Sequence, residues 1–187
     1  MKRERIKGDG TCGITAVALQ SQSHGALTPQ AALLLIRETA QTLNAPDRAM
    51  VYRASNLNRT TEEGEEAYFT ELVNTENTRI DAGGLVILAH LRGLRGLTIF
   101  CMEADRSDKL QSFTATLTKN GSRESSATTQ TGAVIFVEKG QGHWDMVSPL
   151  STPFMHNGAA HNVWYLLDGH PAMVHPVQPT TTLKQPS

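Results

Sequence analysis

From Cys12 to Leu91 the apolar residues of this chain recur mostly at helical spacing; from Leu97 onward they come in short runs of strand formers. Ile14, Val17, Ala18 and Leu19 make one stripe, which predicts a helix from Cys12 to Gln22. Thr28-Pro29 reads as a helix start, with Thr28 as N-cap and Pro29 at the first helical position. That helix is expected to run through Ala31, Leu34, Leu35 and Ile36 to about Leu43, ending before Pro46. Residues 56–61 are polar and read as a loop. Glu62, Glu63, Glu65 and Glu66 then open a helix through Ala67 to Val73, since carboxylates suit the positive end of a helix dipole. Asp81 is the expected N-cap of a further helix, Ala82 to Leu91, with Gly93 near its end.

The strand-like half begins with Leu97 to Met102 and the alternating Gln111 to Leu117. Residues 119–131 are rich in Gly, Ser and Thr and read as a hairpin loop. Ala133 to Val137 is an expected buried strand, and Gly140-Gln141-Gly142 breaks it. His143 to Val147 and Asn162 to Leu167 read as the last strands. From Gly169 the chain is rich in Pro and Thr with little to bury, so a domain over 1–168 and a loose tail over 169–187 are expected. Helices first and strands second predict an α+β fold, with N-terminal helices packed on a small mixed or antiparallel sheet.

Composition narrows the picture. The length of 187 residues suits one domain. A net charge of −1 argues against bulk attraction to nucleic acid or an anionic membrane. No run approaches the ~18 apolar residues of a membrane span. The basic start Met1 to Arg5 has no apolar stretch behind it, so no secretory signal is expected. Two cysteines, Cys12 and Cys101, can neither staple a fold of this size nor build a four-thiolate zinc site. An intracellular, reducing setting is expected, with a Cys12–Cys101 bridge as the open alternative.

Chemistry concentrates in two segments. In Gly8-Asp9-Gly10-Thr11-Cys12-Gly13 a tight turn delivers a cysteine to the start of a helix. The unpaired N–H groups and partial positive charge of a first helical turn favour thiolate over thiol, and they can hold an oxyanion. In His143-Trp144-Asp145, strand alternation puts His143 and Asp145 on one face and the Trp144 ring on the core side. Asp145 could then hold one ring nitrogen and leave the other facing Cys12, which supplies nucleophile, base and orienter. Each part also has a plain reading: a structural cysteine, an ordinary turn, a polar strand edge. Their joint occurrence favours the catalytic one.

Asp9-Gly10-Thr11-Cys12 before a helix, with His143-Trp144-Asp145 on a late strand, resembles the ovarian-tumour (OTU) class of papain-like cysteine proteases. Ile80-Asp81-Ala82-Gly83-Gly84-Leu85, leading to Leu97 to Met102, is similar to the family's middle block. The likeness spans roughly Gly8 to Val147, and the Gly-Asp-Gly-x-Cys-Gly segment also looks like papain-like proteases of some RNA-virus polyproteins. The resemblance implies a papain-like fold, with Cys12 as nucleophile, His143 as base and then acid, and Asp145 as orienter. It also implies an oxyanion hole of backbone N–H groups near Asp9 and at Cys12. The implied reaction is cleavage of the isopeptide bond after the C-terminal glycine of ubiquitin, or of a ubiquitin-like protein. Gly142 and Trp144 are the candidate substrate contacts. No metal or organic cofactor is implied, and a monomer is expected. Gly13 stands where most cellular members carry a bulky apolar residue, and Ala82 where many carry Trp. Both departures suggest a divergent viral or bacterial member, acting in a host cytoplasm. Two alternatives are a viral polyprotein-processing protease and an inactive module that only binds ubiquitin.

Other signals carry less. His156 and His161 lack a nearby acid or thiol to complete a metal set. Asn157 is a rival orienter for His143. His90 reads as a helix-end residue, Cys101 as a small core hydrophobe, and Gly83-Gly84 as a close-packing pair without phosphate-loop chemistry. The glutamates 62, 63, 65 and 66 read as a solvated helix start, with a basic partner as the alternative.

Overall fold

The computed structural model describes residues 3–21, 27–57, 63–94, 96–103, 106–118, 133–138, 143–147, 155–156, 163–167 and 170–176. Among them are five helices and eight strands, and the fold is α+β. The helices are α1 (Cys12–Gln20), α2 (Pro29–Ala40), α3 (Ala45–Ser55), α4 (Glu65–Asn74) and α5 (Ala82–Leu91). The strands are β1 (Arg3–Glu4), β2 (Leu97–Glu103), β3 (Arg106–Ala115), β4 (Ala133–Glu138), β5 (Trp144–Val147), β6 (Met155–His156), β7 (Val163–Leu167) and β8 (His170–Pro176).

Helix α5 is the hub of the core. Every residue from Ala82 to Ala89 is buried, as an all-round apolar helix demands. It packs against α1, α2, α3 and β2. Asp81 caps it by accepting the Gly84 N–H at 2.9 Å, and the Tyr68 hydroxyl also donates to Asp81 at 3.1 Å. Gly93, at φ +71°, closes it: the Leu94 N–H reaches the Ala89 carbonyl and the Gly93 N–H the His90 carbonyl. The Gly83-Gly84 pair is a packing device. A Cβ on Gly83 would collide with the Tyr68 hydroxyl and the Val51 carbonyl, and one on Gly84 with the Ile80 side chain.

Local signals placed the other helices, with corrections. Thr28 caps α2 at the Ala31 N–H, 3.1 Å away. This helix stops at Ala40 rather than near Leu43, and a separate α3 follows. Asn44 caps α3 at the Asp47 N–H, and Pro46 sits in its first turn. Buried Asp47 then ties α3 to the end of β3 by accepting the Thr118 N–H at 3.0 Å and hydroxyl at 2.9 Å. On α2, Ile36 is buried, whereas Leu34 and Leu35 are exposed; on α1, Ile14 and Val17 are buried and Leu19 is exposed. The acidic start of α4 meets a cation within the chain: Arg48 lies 3.5 Å from Glu65 and 3.3 Å from Glu66, with its guanidinium over the Phe69 ring.

The strands form one mixed sheet in the order β1-β5-β4-β2-β3-β8-β7-β6. It is eight strands wide, not small. Pairings β2–β4 and β3–β8 are parallel and the others antiparallel. Leu97, Ile99 and Cys101 of β2 join Phe113, Ala115 and Leu117 in the core. Residues 170–176 correct the expected loose tail, because they form β8 between β3 and β7. Pro171 and Pro176 sit near its ends, which disguised it as a tail. β3 begins at Arg106, earlier than its alternation suggests, since β8 supplies a backbone partner over Lys109 to Ser112. The 119–131 loop, Glu62, Gly140, Asn157 and His161 lie outside the described residues.

Candidate active site

The turn before α1 is built from side chain to backbone. Gly10 has φ +86°, a left-handed conformation that glycine adopts without strain. Asp9 Oδ1 accepts both the Thr11 N–H at 3.0 Å and the Thr11 hydroxyl at 2.7 Å. These bonds, the hydroxyl first, hold the Asp9 carboxyl below the ordinary carboxylate range, and the Lys7 charge adds to them. Because the Thr11 hydroxyl turns to Asp9, it does not cap α1. The first-turn N–H groups, starting at Cys12, keep their positive end without a side-chain cap. The Asp9 N–H, expected at an oxyanion hole, donates to the Lys7 carbonyl at 3.0 Å in this structure.

The second half of the site comes from the start of β5. His143 Nε2 lies 2.9 Å from Asp145 Oδ1, so the two side chains share a face as strand alternation demands. Asp145 is buried, at 5% exposure, while His143 is partly exposed. The same Asp145 oxygen accepts the Ile6 N–H at 2.9 Å. Strand β1 explains that contact: Arg3 and Glu4 pair with Val147 and Met146, so the chain leading to Cys12 runs alongside β5. A Cβ on Gly8 would touch His143 Nδ1 at 3.4 Å, so the imidazole lies against the approach to the turn.

The two halves meet at the sulfur. The Trp144 N–H donates to Cys12 Sγ at 3.4 Å across 132 residues of sequence. One planar peptide separates that nitrogen from His143 Cα, which puts the sulfur within about 6 Å of it. The sulfur therefore accepts a backbone hydrogen bond from β5 at the N-terminal end of α1, where no side chain caps the helix. Cys12 is 5% exposed, so only a slender group can approach it.

Trp144 corrects its assignment as a substrate contact. Its ring is 3% exposed, and its indole N–H donates to the Ile80 carbonyl at 3.2 Å, tying β5 to the segment before α5. Gly142, the other candidate contact, lies outside the described residues. Gly13 is required by this packing: a Cβ there would lie 2.9 Å from Leu85 Cδ1 and 3.0 Å from Trp144 Cδ1. Cys101 is buried on β2, its thiol 3.8 Å from the Leu57 carbonyl, and no disulfide joins it to Cys12.

Sequence reasoning missed the backbone donors Ile6 and Trp144 and the acceptor Ile80. No residue-type signal marks a backbone group. Among the described residues, no three His, Cys, Asp or Glu side chains converge as a metal set, and no helix is long and apolar enough to cross a membrane. Comparison with family models, with curated proteins and with solved structures yields no match.

Proposed function

We propose that the chain is a thiol-dependent hydrolase of papain-like architecture, similar to the OTU class, acting on the isopeptide bond after the C-terminal glycine of ubiquitin. One observation carries this reading. The Cys12 sulfur, at an uncapped helix start, accepts the N–H of the residue between a histidine and the buried carboxylate that holds it. Packing alone does not require nucleophile, base and orienter to meet in that order.

In the proposed reaction Cys12 Sγ attacks the glycine carbonyl carbon and its proton passes to His143. Asp145 holds Nε2, which leaves Nδ1 to take and return that proton. The carbonyl oxygen gains negative charge and is met by N–H groups of the first turn of α1. Collapse of this intermediate breaks the C–N bond, and His143 protonates the departing lysine amine. The thioester that remains is opened by water, deprotonated by His143, which releases the carboxylate and restores the thiol. The low exposure of Cys12 suits a substrate that ends in small residues.

Ubiquitin bearing an electrophile at its C-terminus tests the proposal. The expected result is covalent capture at Cys12, together with di-ubiquitin cleavage that the Cys12→Ala variant loses. Binding without capture would make the chain a ubiquitin-binding module. Inertness toward ubiquitin, with Cys12 still alkylated rapidly by iodoacetamide, would move the substrate to another polypeptide, its own precursor included.

A further inference from the structure

Trp144 meets the first turn of α1 at two points and the segment before α5 at a third. Its backbone N–H donates to Cys12 Sγ at 3.4 Å. Its ring edge lies over Gly13, with Cδ1 3.0 Å from where a Cβ would stand there. The neighbouring indole N–H donates to the Ile80 carbonyl at 3.2 Å. Ile80 is a fixed anchor. Its Cγ2 occupies the place that a Cβ on Gly84 would need, and the next residue, Asp81, caps α5 at the Gly84 N–H. One residue earlier, the Arg79 side chain packs on the nucleophile's turn, its Nε 3.4 Å and its Cγ 3.6 Å from where a Gly10 Cβ would stand. Residues 79–81 therefore meet the Cys12 turn directly and the start of β5 through the indole. His143 depends on that second link. The ladder between β5 and β4 starts at the pair Val137 and Trp144, so His143 stands one residue before it. Trp144 is thus the residue that fixes where the paired strand ends and the imidazole begins.

We propose that Trp144 is a positioning residue: its indole N–H, held by the Ile80 carbonyl, sets the approach of His143 to Cys12. A buried indole N–H needs an acceptor in any fold, so the bond stabilises the protein whatever else it does. Its placement does more, because it locks the strand that carries base and orienter against the helix that carries the nucleophile. A base displaced by about 1 Å loses about 10²-fold in rate. The role rests on the thiol-hydrolase reading and adds a positioning group to it.

The test removes one donor and keeps the ring. Replacing Trp144 with 3-benzothienylalanine puts sulfur where the indole N–H stands, whereas 5-fluorotryptophan keeps the N–H. Alkylation of Cys12 by iodoacetamide, followed by mass spectrometry, reads the thiol and imidazole without any ubiquitin. Its rate is expected to fall about three- to tenfold with benzothienylalanine and to hold with 5-fluorotryptophan. In a His143→Ala background the same replacement should change nothing, because Trp144 acts through the imidazole. On ubiquitin carrying a C-terminal aminocoumarin, kcat should fall about tenfold or more while KM holds. A lower melting temperature with alkylation unchanged well below the transition would overturn the proposal, leaving the indole bond a stability contact alone. A loss of rate that persists in His143→Ala would also overturn it, since the ring would then act on Cys12 directly. Failure of the hydrolase reading looks different: wild-type alkylation would itself be slow and indifferent to His143→Ala, and the positioning role would fall with it.

Discussion

Gly13 carries the tightest packing constraint next to the thiol. Leu85 is fully buried and Trp144 nearly so, which leaves little room for either to give way to an added methyl. Gly13→Ala is expected to destabilise the fold by about 1–3 kcal/mol through overpacking. The better helix propensity of Ala offsets about 1 kcal/mol of this. A urea midpoint checks the loss, and slower alkylation of Cys12 would report that Trp144 has moved off the sulfur. Asp145 serves both His143 and the Ile6 N–H, so Asp145→Ala should lower the rate constant for ubiquitin-probe capture by about 10²–10⁴-fold. The orphaned Ile6 N–H adds a stability cost of about 1–3 kcal/mol, seen as an earlier denaturant midpoint. Asp9 gives a pH dependence with a definite sign. Its carboxyl is depressed in the folded turn, so its stabilising effect is fully present above the ordinary carboxylate pKa. That effect is lost as pH falls through the depressed value. An NMR titration of the Thr11 amide should therefore show a midpoint below that of an unstructured aspartate, and Asp9→Asn should remove the titration while keeping the turn.

At the scale of elements, β1 is short but ties the chain leading to Cys12 alongside β5. Its pairing with β5 delivers the Ile6 N–H to Asp145 and lays Gly8 against His143. Deleting residues 2–5 should slow Cys12 capture by the ubiquitin probe while far-UV circular dichroism stays close to wild type. Unaltered capture kinetics would show that β1 does not position Cys12, His143 and Asp145. The helices were legible where a capping residue stands beside an apolar run. Asp81 and Gly93 bound α5 where the spacing put them, and Thr28-Pro29 opened α2. Helix α3 was missed because its apolar face is thin; the overlooked signal was Asn44-Ala45-Pro46-Asp47, an N-cap followed by proline and an acid. β1, two residues long, has no periodicity to detect.

Across the whole molecule the sheet reaches further along the chain than composition suggests. Strand β8 lies between β3 and β7, so ending the chain after Asp168 would expose the β3 edge and strand β7. The expected outcome is loss of the cooperative thermal transition and a drop in soluble yield; an unchanged melting curve would mean that β8 contributes little. The amino-acid sequence by itself determined the helix caps, the α+β order, the Gly-Asp-Gly turn and the shared face of His143 and Asp145. All of these follow from interactions between residues close in the chain, where spacing and side-chain chemistry suffice. Only the tertiary structure decided that the Trp144 N–H meets the Cys12 sulfur, that the Ile6 N–H shares Asp145, and that residues 170–176 belong inside the sheet. Those contacts join backbone groups across distant segments. Every residue but proline carries the same donor and acceptor, so side-chain identity cannot say which of them will meet.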